Sequence, residues 1–366
     1  MRRKTRKQSP DYILISVSGL LIVLGILILS SVSSSFSQEK FGTTYYFLNH
    51  QLLFGLAPGM VLGFLAFKID LSFLKKKALV FLLINLIFLI MVFLPKVGSS
   101  FRGAARWLNL GPISFQPSEF LKITSILYFA SWLSSRVEKT KTPNFTLIPF
   151  LIIMALIGLL LTFQPDISTL GIIVLVISLI YFSANTPLWH SALIVSIEVV
   201  VLFFLIKLAP YRAERLLVFL NPETDPMGIG YQIKQALITV GSGGIAGVGL
   251  GLSRQKFGFL PQSMSDSIFA ILAEETGFIG SFILIFLFLI FLWRGFRIAS
   301  FSQNKFSQLL AVGISSWIVL QAFINIGAMI AILPLTGIPL PFISYGGSAL
   351  ISELIGVGLL LNISKR

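Results

Sequence analysis

Residues 146–184 read TLIPFLIIMALIGLLLTFQPDISTLGIIVLVISLIYFSA, and Asp166 is the only charged residue among them. Two apolar runs, 146–163 and 167–184, flank the tripeptide Gln164-Pro165-Asp166. At about 1.5 Å of rise per residue, each run as a helix approaches the roughly 30 Å of a bilayer's hydrocarbon core. The tripeptide then breaks a membrane hairpin, with Asp166 suited to cap the second helix because its carboxylate accepts N–H bonds from the first turn.

Runs of the same kind lie near 12–33, 48–67, 78–95, 117–134, 189–208, 267–293, 307–331 and 345–363, which makes about ten in all by the length criterion. The expected fold is therefore an all-α polytopic membrane protein. It has about ten transmembrane helices in a single domain over 1–366, with a large extracytoplasmic loop over 209–266 between helices seven and eight. Composition agrees: 55% of residues are hydrophobic, 11% are charged, 34 are phenylalanine and the mean hydropathy is +0.92, far from a soluble average. The net charge of +14 does not indicate nucleic acid, because the basic residues punctuate apolar spans instead of clustering on a solvated domain. The absence of cysteine excludes disulfides and thiolate metal sites, and His50 and His190 are too few and too far apart for a zinc cluster. No short-period repeat or inverted pair of halves is visible.

Orientation follows from lysine and arginine. Arg2, Arg3, Lys4, Arg6 and Lys7 precede a first span that is too long for a signal peptide and lacks an A-x-A site, so it reads as a retained helix behind a basic tail, 1–11. With ten spans, that tail, the Lys68–Lys77 turn, the segment with Arg136, Lys139 and Lys141, the turn with Arg294, Arg297 and Lys305, and Lys365-Arg366 share one side. That side is read as the cytoplasm, with both termini on it. The segments 95–116 and 209–266 then face outward. Ser30–Ser37 reads as the polar exit of the first helix.

The outward segments hold the candidate chemistry. Arg106 and Trp107 sit where an interfacial anchor is expected. Pro117 and Glu119 suit a helix start, where the missing proline N–H has no cost and the helix dipole favours a carboxylate. Lys122, one turn on, shares a face with Glu119; the two form either a neutralising interior pair or the lining of a polar cavity. Between Tyr211 and Gln232, the Asn221-Pro222 and Asp225-Pro226 pairs set turns, which makes most of that segment scaffold. The glycines from Gly241 to Gly251 permit either close packing or exposed N–H groups for a phosphate. No strand precedes them and no Gly-Lys-Ser/Thr follows, which removes the nucleotide fingerprints. Asp266 heads the eighth apolar run, with Glu274 and Glu275 further in.

Six blocks, in this order, resemble the FtsW/RodA/SpoVE family. They are Gly103-x-x-Arg106-Trp107 through Gln116-Pro117-Ser118-Glu119-x-x-Lys122; Gln164-Pro165-Asp166; Arg215-x-x-x-Phe219 through Asp225-Pro226-x-Gly228-x-Gly230-Tyr231-Gln232; Gly241-Ser242-Gly243-Gly244 through Gln255-Lys256; Asp266-x-Ile268-Phe269-Ala270 with Glu274-Glu275; and Pro334-x-Thr336-Gly337-x-Pro339 through Ser344-Tyr345-Gly346-Gly347-Ser348. Gly249-Leu250-Gly251-Leu252-Ser253 is more similar to the division and sporulation branch than to the elongation branch. Two blocks depart from the family pattern. Where the family commonly has His-Thr-Asp-Phe this chain has Met264-Ser265-Asp266-Ser267, and its Gln-Pro-Asp-Leu-Gly-Thr becomes Gln164-Pro165-Asp166-Ile167-Ser168-Thr169.

The resemblance implies a ten-helix inverting peptidoglycan glycosyltransferase that polymerises lipid II at the outer face of the bacterial cytoplasmic membrane, in division or cell-shape maintenance. It implies a class B penicillin-binding protein as crosslinking partner, and proteins of the division or elongation complex. Asp266 matches the family's essential aspartate and is expected to be catalytic. Arg106, Trp107, Glu119, Lys122, Asp166, Arg215, Gly243, Gly244, Gln255, Lys256 and Ser344 are expected to bind substrate. No cofactor is assigned, and a divalent cation, magnesium or manganese, stays open. The chemistry asks for cations or N–H donors at a pyrophosphate leaving group and for a base at the acceptor hydroxyl. An ordinary aspartate has a pKa of about 3.9, so desolvation would strengthen Asp266 as a base and a close Lys122 would weaken it. A lipid-linked precursor flippase is the alternative, but it wants charges deep in several helices around a midplane cavity. A non-catalytic scaffold for the crosslinking partner is the third reading.

Overall fold

The computed structural model describes residues 9–94, 98–101, 104–110, 113–136, 143 and 146–365. The basic residues from Arg2 to Lys7, Gly103, Lys139, Lys141 and Arg366 lie outside them.

Every apolar run of the sequence carries a helix. These are α1 (Tyr12–Phe41), α2 (Tyr46–Gln51) continued by a π-helical turn (Leu52–Leu56) into α3 (Ala57–Lys68), α4 (Leu71–Met91), α5 (Pro117–Ser134), α6 (Leu147–Phe163), α7 (Ile167–Ser183) and α8 (Leu188–Lys207). The segment between α8 and the next long helix holds α9 (Pro210–Leu220), a 3-10 turn (Pro222–Thr224) and α10 (Ile229–Ser242), and the chain ends in α11 (Ile268–Phe301), α12 (Lys305–Met329) and α13 (Gly347–Ser364). Among the described residues, six helices are long and apolar enough to cross a membrane. α6 and α7 are apolar but have 17 residues each, while α4 and α5 carry Lys75–Lys77 and the Glu119/Lys122 pair.

Four expectations change. α1 runs eight residues past 33, because the Ser30 and Ser34 hydroxyls bond back to the Leu27 and Ser31 carbonyls and satisfy themselves within the helix; Gly42, at φ 68°, ends it. Lys75, Lys76 and Lys77 lie in α4 and not in a turn, since Asp70 caps that helix by accepting from Ser72 N–H at 3.3 Å. The segment before α5 contains three short antiparallel strands, β1 (Gly98–Phe101), β2 (Ala104–Leu110) and β3 (Ile113–Phe115), a small sheet added to a predominantly helical fold. Finally, α11 is broken at Gly277, whose φ of 66° is left-handed.

α12 lies at the centre, with 83% of its apolar stretch buried; α8 is at the edge, with 11% buried. Lipid is as apolar as leucine, so helices associate through close fit and polar links. α3 and α13 show the fit: a Cβ on Gly63 would lie 2.7 Å from Leu354 O, and one on Gly358 would lie 2.1 Å from Gly63 O. At one end of the bundle Asp11 caps α1, donates its N–H to the Ser364 hydroxyl at 3.1 Å and accepts from Arg294 Nε at 2.9 Å. The starts of α1 and the ends of α13 therefore meet beside Arg294.

Candidate active site

The segment 260–267 has no regular structure, yet it is held from within and from three other elements. Gln262, at φ 54°, turns the chain so that its carbonyl accepts from both Ser265 and Ser267 N–H at 3.1 Å. The Ser267 hydroxyl donates to Pro261 O at 2.8 Å and accepts from Gln232 Nε2 of α10 at 3.1 Å. Tyr345 N–H donates to Met264 O at 2.9 Å, and the Ser344 hydroxyl donates to Ser265 O at 2.6 Å while accepting from Leu340 N–H at 2.8 Å. From α12, Asn325 Nδ2 donates to Asp266 O at 2.7 Å and to Ile338 O at 2.8 Å. Asp266 is half-buried. It lies before the N-cap Ser267 of α11, outside the helix the sequence had it heading. A Cβ on Gly337 would lie 3.5 Å from Asp266 Oδ2, so glycine there leaves the carboxylate room.

Glu119 and Lys122 form a buried pair at 2.8 Å. Lys122 Nζ also donates to Gln321 Oε1 at 2.8 Å and lies 5.3 Å from the Trp317 ring centroid. Gln321 in turn accepts from Trp317 Nε1 at 2.9 Å and donates to Pro339 O at 3.0 Å. The pair thus ties α5 to α12 and to the same 338–344 loop that steadies Asp266.

Asp166 caps α7 through Thr169 N–H at 3.4 Å. Arg106, on β2, donates to the Gln164 and Pro165 carbonyls and so pins the break between α6 and α7. Lys256 is buried, 3.6 Å from Glu275 and 3.0 Å from the Ser31 hydroxyl. Gly243 and Gly247 lie against α11, where a Cβ would come within 2.1 Å of Ala273 O and 2.3 Å of Glu275 O. The N–H groups of Val248 and Gly249 donate to the Glu274 and Glu275 carbonyls at 3.0 and 3.1 Å, and Gly244 O accepts from Phe278 N–H at 2.9 Å. These bonds continue across the break at Gly277, so the glycine segment packs against α11 with much of its backbone already engaged. Arg215 is exposed on α9, and Gln255 Oε1 is buried with no hydrogen-bond partner among the described residues. Among the described residues no group of three His, Cys, Asp or Glu side chains gathers in one place.

A cleft of about 490 Å³ borders the Asp266 segment, within the range of about 300–1,000 Å³ common for ligand sites. Trp107 lines it together with Phe36, Lys40, His50, Gln262 and Tyr345. Phe54, on the π-helical turn, completes one wall; such turns recur at functional sites. Sequence reasoning missed Lys40, His50, Gln321 and Asn325. The last two had a readable signal, two amides four residues apart inside the otherwise apolar stretch 317–329 of α12, where polar groups are rare and expensive.

A family model described as "Cell cycle protein", covering FtsW, RodA and SpoVE, matches residues 11–366. The stage V sporulation protein E of Bacillus subtilis is 38% identical over 361 residues, covering 99% of this chain and 98% of that protein. A probable peptidoglycan glycosyltransferase FtsW of Geobacter metallireducens is 36% identical over 356 residues, covering 97% and 95%. Among solved structures, a chain from a peptidoglycan synthase complex, studied for the structural coordination of polymerization and crosslinking, superposes with a TM-score of 0.80 at 27% identity, with 97% of each chain covered. The rod shape determining protein RodA of Thermus thermophilus gives a TM-score of 0.70 at 26% identity, covering 97% and 96%.

Proposed function

The chain belongs to the FtsW/RodA/SpoVE family, and we propose that it is a peptidoglycan glycosyltransferase that polymerises lipid II on the outer face of the cytoplasmic membrane, with Asp266 as general base. The observation that carries this reading is the fixed, half-buried presentation of Asp266 between a glycine at 337 and a backbone held by three elements. Electrostatic and proton-transfer catalysis both depend on such preorganisation. The acceptor sugar hydroxyl loses its proton to Asp266 as its oxygen bonds to the donor's anomeric carbon. The bond from that carbon to the lipid pyrophosphate breaks on the opposite face, so an α-linked donor gives a β-linked strand.

The candidate substrate residues divide by their neighbours. Arg106, Glu119, Lys122, Asp166, Lys256, Ser344 and the glycines at 243 and 244 have partners within the protein and hold the frame. Arg215, Gln255 and Trp107 keep exposed or unpaired groups and are the better substrate contacts in this reading. The partner is a class B penicillin-binding protein, in line with the synthase complex of the structural relative. Both termini are cytoplasmic and the fold is one transmembrane domain. Incubation of purified lipid II with the purified chain, with and without that transpeptidase, tests the activity. Strand formation supports it; lipid II that is moved across vesicle membranes but never polymerised would favour the flippase instead.

A further inference from the structure

The direction in which a side chain leaves the backbone is set by the two peptide planes that flank its Cα, since each peptide is flat and only φ and ψ turn between them. Both planes around Asp266 are tethered. The 265–266 peptide is held through Ser265 O by the Ser344 hydroxyl at 2.6 Å, and the 266–267 peptide through Asp266 O by Asn325 Nδ2 at 2.7 Å. Ser267 N–H, on the far edge of the second plane, donates to Gln262 O at 3.1 Å. Asn325 is buried, and its second N–H donates to Ile338 O at 2.8 Å. Its own carbonyl oxygen has no donor among the described residues, so the amide acts through its two N–H bonds alone.

Asn325 does not stand by itself. One turn earlier on α12, Gln321 donates to Pro339 O at 3.0 Å and accepts from the buried Lys122 ammonium at 2.8 Å. Two amides on one helix face therefore hold adjacent carbonyls of the 338–344 loop, and only Asn325 reaches across to the Asp266 segment. We propose that Asn325 is a positioning residue for glycosyl transfer: by bridging the Ile338 and Asp266 carbonyls it fixes the direction of the Asp266 carboxylate. This rests on the reading of Asp266 as the base.

Asn325→Asp keeps the shape but replaces two donors with an acceptor facing two carbonyls, and Asn325→Ala removes the bridge without that repulsion. A displacement of about 1 Å at a reacting group costs on the order of a hundredfold, so kcat for lipid II polymerisation by the full chain with its transpeptidase should fall roughly 10- to 100-fold in both variants, with KM within about threefold. Asn362 supplies a matched control, because its buried Nδ2 also bridges two carbonyls, Ala66 O at 2.9 Å and Ile69 O at 2.7 Å, elsewhere in the fold. Asn362→Asp should lower thermal stability comparably and leave kcat within about twofold. An equal loss of kcat in the Asn362 and Asn325 variants would overturn the proposal.

A second measurement does not depend on catalysis. In this cysteine-free chain, Asp266→Cys is alkylated with a small thiol reagent, in the presence of Asn325 and of Asn325→Ala. The proposal expects the rate to change at least about fivefold, as exposure and environment of the thiol change; equal rates overturn it. A changed rate, combined with full polymerisation by Asp266→Asn, supports the positional inference while overturning Asp266 as the base.

Discussion

Lys122 Nζ lies 2.8 Å from Glu119 Oε2, with 2% and 5% of the two side chains exposed. Removing one partner leaves the other charge buried and unpaired, which costs about 3–5 kcal/mol. Lys122→Met is therefore expected to lower the thermal midpoint in detergent strongly. Lys76→Met, at an exposed position of α4, should shift it little. Paired replacement by Glu119→Leu and Lys122→Met should cost less than either single change, because no charge is left behind. Equal midpoints for Lys122→Met and Lys76→Met would mean that the pair contributes nothing to stability.

Gly247 and Gly277 meet where α11 breaks. A Cβ on Gly277 would sit 2.3 Å from Gly247 N, and its φ of 66° strains any other residue. Gly277→Ala should cost more than the roughly 1–3 kcal/mol of backbone strain alone, because backbone must also move. Gly251→Ala, at φ 81° but with no atom within 4 Å, should cost about 1 kcal/mol from strain only. Denaturation midpoints of the two variants in the same detergent decide whether the crowding is real.

The helices were legible because lipid demands about 20 consecutive apolar residues and gives little freedom in where they begin. Local signals worked as well: Pro117 opens α5, Asp166 caps α7, and the i,i+3 spacing of Glu119 and Lys122 places them together. What escaped depends on residues far apart in the chain. Asn325 meets Asp266 across 59 positions and Lys122 meets Gln321 across 199, and no local pattern encodes such pairings. The β1–β3 sheet is built from strands of 4, 7 and 3 residues, too short for their alternation to be read. The break in α11 is set by what packs against Gly277, and the local sequence Glu274-Glu275-Thr276-Gly277 does not encode that contact.

The topology is testable because the chain has no cysteine. The meeting of Asp11, Arg294 and Ser364 at one end puts residues 11 and 364 on one side, and the positive-inside rule predicts that this side is the cytoplasm. Single cysteines replacing Gln38 and Asn221 should react with an impermeant reagent in spheroplasts, and one replacing Gln303 only after permeabilisation. Gln38 is exposed, whereas Ser37 is fully buried and unsuitable as a reporter. Labelling of the Gln303 position from outside would invert the orientation.

Asp266→Asn preserves size and the backbone bonds from Ser344 and Asn325, which engage main-chain carbonyls, but removes the charge and the basicity. Insertion and binding to the transpeptidase should therefore be normal, while polymerisation of lipid II falls at least about a hundredfold, the low end of what a general base contributes. Two other carboxylates serve as comparators. Asp166→Asn keeps an acceptor for Thr169 N–H, so its cap survives and its activity should stay within about threefold. Glu275→Gln loses the Lys256 pairing but keeps an acceptor for the Ser31 hydroxyl, and its loss should appear mainly in stability, about 3–5 kcal/mol for a broken buried pair. If Asp266→Asn polymerises at the wild-type rate while either comparator is inactive and correctly inserted, proton abstraction belongs to the cap of α7 or to the buried end of α11.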